Sequence, residues 1–106
     1  MSEPVATIEV IALSGEGEDR RLEIRASMGA PQRQADGSWV CRVVVAPLQE
    51  QALDVRGVDG FHALWLACSL ILKLLTQLKD GGARLQNADG SEFPLDAYLA
   101  GLDGKR

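Results

Sequence analysis

The chain holds one histidine, His62, and two cysteines, Cys41 and Cys68, so any imidazole chemistry must run through that single ring. A thiol nucleophile needs a base within hydrogen-bond reach. Cys68 stands six residues after His62, and helical steps of about 100° carry it about 240° around the axis, onto another face. Cys41 meets His62 only if the tertiary fold brings the two together. Structural zinc wants closely spaced ligand pairs, and neither a CxxC nor an HxxxH spacing exists here. No metal and no cofactor is expected. Carboxylates are plentiful, but none falls into a catalytic motif. Asp89-Gly90-Ser91-Glu92 resembles the start of a calcium loop without its repeated ligands, and reads as a turn. Gly57-Val58-Asp59-Gly60 opens a helix as a phosphate loop does, yet it lacks the Lys-Ser/Thr ending, and Asp59 repels an anion there. One arrangement keeps a chemical reading open: a ligand-binding or catalytic pocket between sheet and helix that uses His62 with Asp59 or Asp54.

The elements that must position these groups change period at Gly57. Before it the chain reads as strands. In PVATIEVIAL, residues Ala6, Ile8, Val10 and Ala12 share one face. RRLEIRASM sets Leu22, Ile24 and Met28 against Arg21, Glu23, Arg25 and Ser27, the alternation of a sheet with one wet face. SGEGED between them is a polar turn, and GAPQRQADG is a loop in which Asp36-Gly37 supplies a tight turn. SWVCRVVV places Trp39, Cys41, Val43 and Val45 together, and its β-branched density marks a central strand. After Pro47, QALDVR carries a fourth strand through Leu53 and Val55, with Asp54 facing solvent. These strands predict an antiparallel meander.

After Gly57 the period becomes helical. Asp59 can cap the start, accepting from the N–H of Phe61 or His62, while Lys79, Gly81 and Gly82 supply the stop. A helix over about residues 59–80 is roughly 33 Å long, the diameter of a domain this size. With His62 at 0°, a polar stripe gathers Ser69, Lys73, Thr76, Gln77 and Asp80, with Leu66 among them. The rest is apolar: Ala63, Ala67, Leu70 and Leu74 on one flank, Leu64, Ile71, Leu75 and Leu78 opposite the stripe, Trp65, Cys68 and Leu72 on the other flank. That arc covers about 220°, whereas a helix on one sheet face needs little over 100°. The excess requires a second cover. A C-terminal helix, predicted from Leu95, Tyr98, Leu99 and Leu102 with Pro94 in its first turn, could lie against the Ala63 and Ala67 flank. On that account the monomer is self-sufficient; the alternative is that the Trp65, Cys68, Leu72 side meets a second subunit or another protein.

The segments SWVCRVVV and RGVDGFHALWLACSLI resemble a family of small uncharacterised bacterial domains of unknown function. They share its Trp-x-Cys strand followed by Gly-Val-Asp leading into an Ala-Leu-x-Leu-Ala helix. In that family the position of His62 is usually Gln, and Trp65 stands at a variable site. The resemblance implies a fold plan and a bacterial source, and no activity.

The 106 residues are expected to form one domain of α+β class, spanning 1–106. An antiparallel sheet of about four strands within 4–56 would be covered on one face by the long helix, with a turn and a short helix within 83–102. Asp103–Arg106 is expected to fray. The net charge of −4 disfavours nucleic acid and anionic membrane as partners. Only Phe61–Leu72 runs before Lys73 interrupts the apolar helix, short of the ~20 residues a bilayer core requires. The cysteines sit in apolar runs with no secretory signal ahead of them, which points to the cytoplasm and to reduced thiols. The function expected is a non-catalytic protein-interaction module that binds a second copy of itself or one protein partner. Its contact residues are expected to be Trp65, Cys68, Leu72 and Leu66, with His62 and Asp59 serving the alternative pocket.

Overall fold

The structure is a computed structural model that describes residues 4–102. The expected frayed end, Asp103–Arg106, and the side chain of Leu102 lie outside that description. In chain order come β1 (Ala6–Ser14), a single 3-10 turn at Glu16–Glu18, β2 (Arg20–Met28), β3 (Gln32–Arg33), β4 (Trp39–Ala46) and β5 (Leu53–Gly57). The long helix α1 (Gly60–Asp80), β6 (Arg84–Gln86) and the short helix α2 (Leu95–Leu102) follow. All pairings are antiparallel, and across the sheet the order is β5, β4, β2, β1, β6. β3 pairs with the first residues of β4, on the side that β2 uses farther along. The four expected strands thus form the predicted meander, and the fold is α+β. β3 lies inside what reads as loop, because two residues are too few to show an alternation.

Alternation decides the two faces. Val10, Ala12, Ile24, Ala26, Met28, Cys41, Val43 and Val45 are buried against the helices. The other face carries Arg25 paired with Glu9 at 3.8 Å, Arg42 with Asp54 at 3.1 Å, and Arg21 with Glu23 at 3.3 Å. Exposed pairs of this kind contribute about 0–1 kcal/mol each, so they mark the wet face rather than hold it together. Two hairpin turns share one construction. In Asp36-Gly37-Ser38 and in Asp89-Gly90-Ser91 the aspartate Oδ1 accepts both the N–H (2.9 Å in each) and the hydroxyl of the serine two residues on. The glycine between them holds φ of +89° and +90° respectively. The carboxyls of Asp36 and Asp89 are both held below the ordinary range, chiefly by these serine hydrogen bonds.

α1 begins where Asp59 Oδ1 accepts the His62 N–H at 2.8 Å. It ends in a glycine-reversed motif: the Gly82 N–H donates to the Lys79 carbonyl and the Ala83 N–H to the Leu78 carbonyl, both at 3.0 Å, with Gly82 at φ +106°. Ala63 and Ala67 are both fully buried, and at Ala63 the helix backbone closes on the sheet. A Cβ built on Gly57 of β5 would lie 2.5 Å from the Ala63 nitrogen and 2.8 Å from its Cα. This corrects the expected use of the small flank: the backbone that closes on Ala63 belongs to β5, not to the C-terminal helix. α2 instead meets α1 toward its C-terminal half, where Asp96 pairs with Lys79 at 3.9 Å and Tyr98 shares a groove with Cys68, Ile71 and Leu72. The physical reason is reach. An eight-residue helix starting from Leu95 follows the β6 hairpin and stays on the β1 side of the sheet.

Candidate interaction surface

β1 and the end of β2 reach beyond the cover of α1, and α2 covers only part of what remains. The gap is a groove of about 160 Å³. Its floor is Ala6, Ile8, Ala26 and Met28 from the sheet, and its walls are Cys68, Ile71 and Leu72 of α1 and Tyr98 of α2, with Thr7 at the rim. No lining residue is charged. Tyr98 is 42% exposed and stacks on the buried Phe93, ring centroids 5.1 Å apart. The Cys68 thiol lies 3.8 Å from the sulfur of Met28.

On the same flank of α1, toward its N-terminus, stand Trp65 (43% exposed) and Phe61 (83% exposed). Phe61, Trp65, Cys68 and Leu72 recur at intervals of four, three and four, the spacing of one helical seam. By length and composition α1 is apolar enough to cross a membrane, while 28% of that stretch is buried in the fold. The helix therefore carries more apolar surface than the sheet and α2 cover. Of the expected contact residues, the structure puts Cys68 and Leu72 in the groove and Trp65 one turn from it. Leu66 is half-buried beside the polar stripe and does not line the groove. Phe61, Met28 and Tyr98 also belong to this surface. A reading by helix angle alone reaches Phe61, which sits at 260° beside Cys68. It has no access to Met28 or Tyr98, which arrive from other elements.

The residues of the alternative pocket have structural partners. Asp59 caps α1. His62 Nδ1 accepts the Val58 N–H at 3.0 Å, which ties the ring back to the start of α1. Asp54 lies on the wet face in its ion pair with Arg42, and the structure does not bring it to His62. A shallow depression beside His62 is lined by Gly37, Ser38, Arg56, Gly57 and Val58. Arg56 is engaged there, donating to Ser38 Oγ and pairing with Asp36 at 3.6 Å. Among the described residues no group of three or more His, Cys, Asp or Glu side chains could hold a metal ion. Both cysteines are free. Cys41 is fully buried, its thiol donates to the Gly29 carbonyl at 3.2 Å, and desolvation pushes its pKa up, with the neighbouring Cys68 adding to the shift.

Residues 12–95 match the family described as a domain of unknown function (DUF6968), and the chain belongs to that family. No curated protein and no solved structure matches the chain.

Proposed function

We propose that this member of the family is a non-catalytic protein-interaction module that docks through the flank of α1 bearing Phe61, Trp65, Cys68 and Leu72. The observation that carries this reading is the uncharged groove between that flank, Tyr98 and the sheet, continued by two exposed aromatics. Aromatic side chains at the margin of an apolar depression supply large contact area at small entropic loss, and they dominate the energetics of protein interfaces. Asp59 is engaged as the helix cap, Asp54 in its ion pair with Arg42 and His62 Nδ1 with the Val58 N–H, which weighs against the pocket reading because the structure does not gather the three side chains around one site. The reading goes with a bacterial cytoplasm, where a reducing environment keeps Cys41 and Cys68 as thiols.

The test is a photo-crosslinking amino acid placed at Trp65 and, as a control, at Lys73 on the polar stripe. A discrete adduct of one mass from position 65, with none from 73, supports the docking surface. No adduct from 65, or the same adducts from both positions, refutes it.

A further inference from the structure

The groove has an open side. β6 pairs with β1 only at Ile11–Leu13, so among the described residues the outer edge of β1 from Ala6 to Val10 has no strand beside it. We infer that this edge is where a second copy of the chain adds, β1 against β1 across a two-fold axis through Ile8, so that the two sheets become one. The inference rests on the docking reading above and names its partner.

Three observations select a second copy. First, a two-fold axis normal to the sheet requires facing residues to share a face. Centring on Ile8 satisfies this by opposing Ala6 to Val10 and Thr7 to Glu9, using the free segment from end to end. A shift to Glu9 would set two carboxylates directly opposite and run Thr7 against Ile11, which β6 already occupies. Secondly, the edge carries little of the usual protection beyond Pro4 ahead of it and Glu9 on its wet face. Val5, Thr7, Ile8 and Val10 are strong strand formers, no Lys or Pro interrupts Ala6–Val10, and Glu9, the one charge, is turned to the wet face beside Arg25. The opposite edge strand, β5, carries both Asp54 and Arg56. Thirdly, the chain has a net charge of −4, which opposes self-association, so a contact between copies must keep further acidic groups away from its centre. The groove under this edge is uncharged. The same two-fold would join two such grooves into one, flanked by a Tyr98 from each copy.

The experiment is sedimentation equilibrium of the full chain at micromolar concentration with Thr7→Glu, Thr7→Lys and the double variant Thr7→Glu/Glu9→Lys. Thr7 and Glu9 are exposed, and circular dichroism checks that each variant stays folded. A dimer is expected for the parent chain. Thr7→Glu should weaken it roughly tenfold, because the two-fold doubles each new repulsion; Thr7→Lys should hold or tighten it, and the double variant should restore it. Amides within Ala6–Val10 should gain hydrogen-exchange protection as concentration rises. A parent chain that stays monomeric overturns the inference, as does a dimer indifferent to charge at position 7. In either case, an adduct from position 65 to a different protein would leave the docking reading standing.

Discussion

Gly57→Ala tests how α1 is seated. Gly57 does not adopt a positive φ, so the substitution brings no backbone strain and its whole effect is space. The new Cβ would meet the Ala63 nitrogen at 2.5 Å, the Ala63 Cα at 2.8 Å and the His62 carbonyl carbon at 3.0 Å, all of them backbone atoms that cannot rotate away. Relief to an ordinary contact moves the first turns of α1 outward by roughly 0.9 Å. A gap of 0.5–1 Å forfeits about a quarter to a half of each dispersion contact, and Ala63 and Ala67, both at 0% exposure, lose contacts first. Overpacking of this kind costs about 1–3 kcal/mol, offset by about 0.4–1 kcal/mol from the stiffer unfolded chain. A net loss of about 1.3 kcal/mol is expected. The assay is urea unfolding followed by tryptophan emission, with the midpoint falling and the slope unchanged. Gly60→Ala is the control: its Cβ would approach only side chains, Trp39 at 3.3 Å and Pro31 at 3.6 Å, and should change stability by less than about 1 kcal/mol. A loss below about 0.5 kcal/mol for Gly57→Ala, or an equal loss for both, would refute the close seating of helix on strand.

Removing the helix cap by Asp59→Ala should lower stability by about 1 kcal/mol and Asp59→Asn by less, in the same unfolding assay, because the His62 N–H loses its acceptor only in the first. The lowered carboxyls of Asp36 and Asp89 stabilise the fold above the ordinary value of 3.8, and that contribution is lost as pH falls through and below it. Ser38→Ala/Ser91→Ala should therefore flatten the acid limb of a stability profile measured between about pH 5 and 2. The Cys41 shift runs the other way. A thiol raised above 9.0 contributes stability in full below that pH and loses it as pH climbs, so Cys41→Ser or Cys41→Ala should reduce the alkaline decline seen in thermal unfolding above about pH 9.

The meander was legible because period-two alternation is a local signal, and β1, β2, β4 and β5 each carry it over enough residues. The cap at Asp59 was legible for the same reason, since a cap is built within four residues of chain. The seat of α1 was not. That Gly57 yields to Ala63, rather than α2 to the small flank, depends on a distance between two elements that neither states alone. The apolar excess on the Trp65, Cys68, Leu72 flank could be counted from helix angles, but its shape as a groove needed Ile8, Met28 and Tyr98. The free β1 edge lay beyond reach too, because it exists only through the shortness of β6.

The most direct test of the docking surface is the alkylation rate of Cys68, measured in intact cells and in the dilute purified chain. Cys68 lies half-buried in the groove, and fully buried Cys41 reports on global opening in the same sample. Occupation of the groove should slow Cys68 by about tenfold or more in cells while Cys41 stays protected in both settings. Equal Cys68 rates in the two settings would contradict the account.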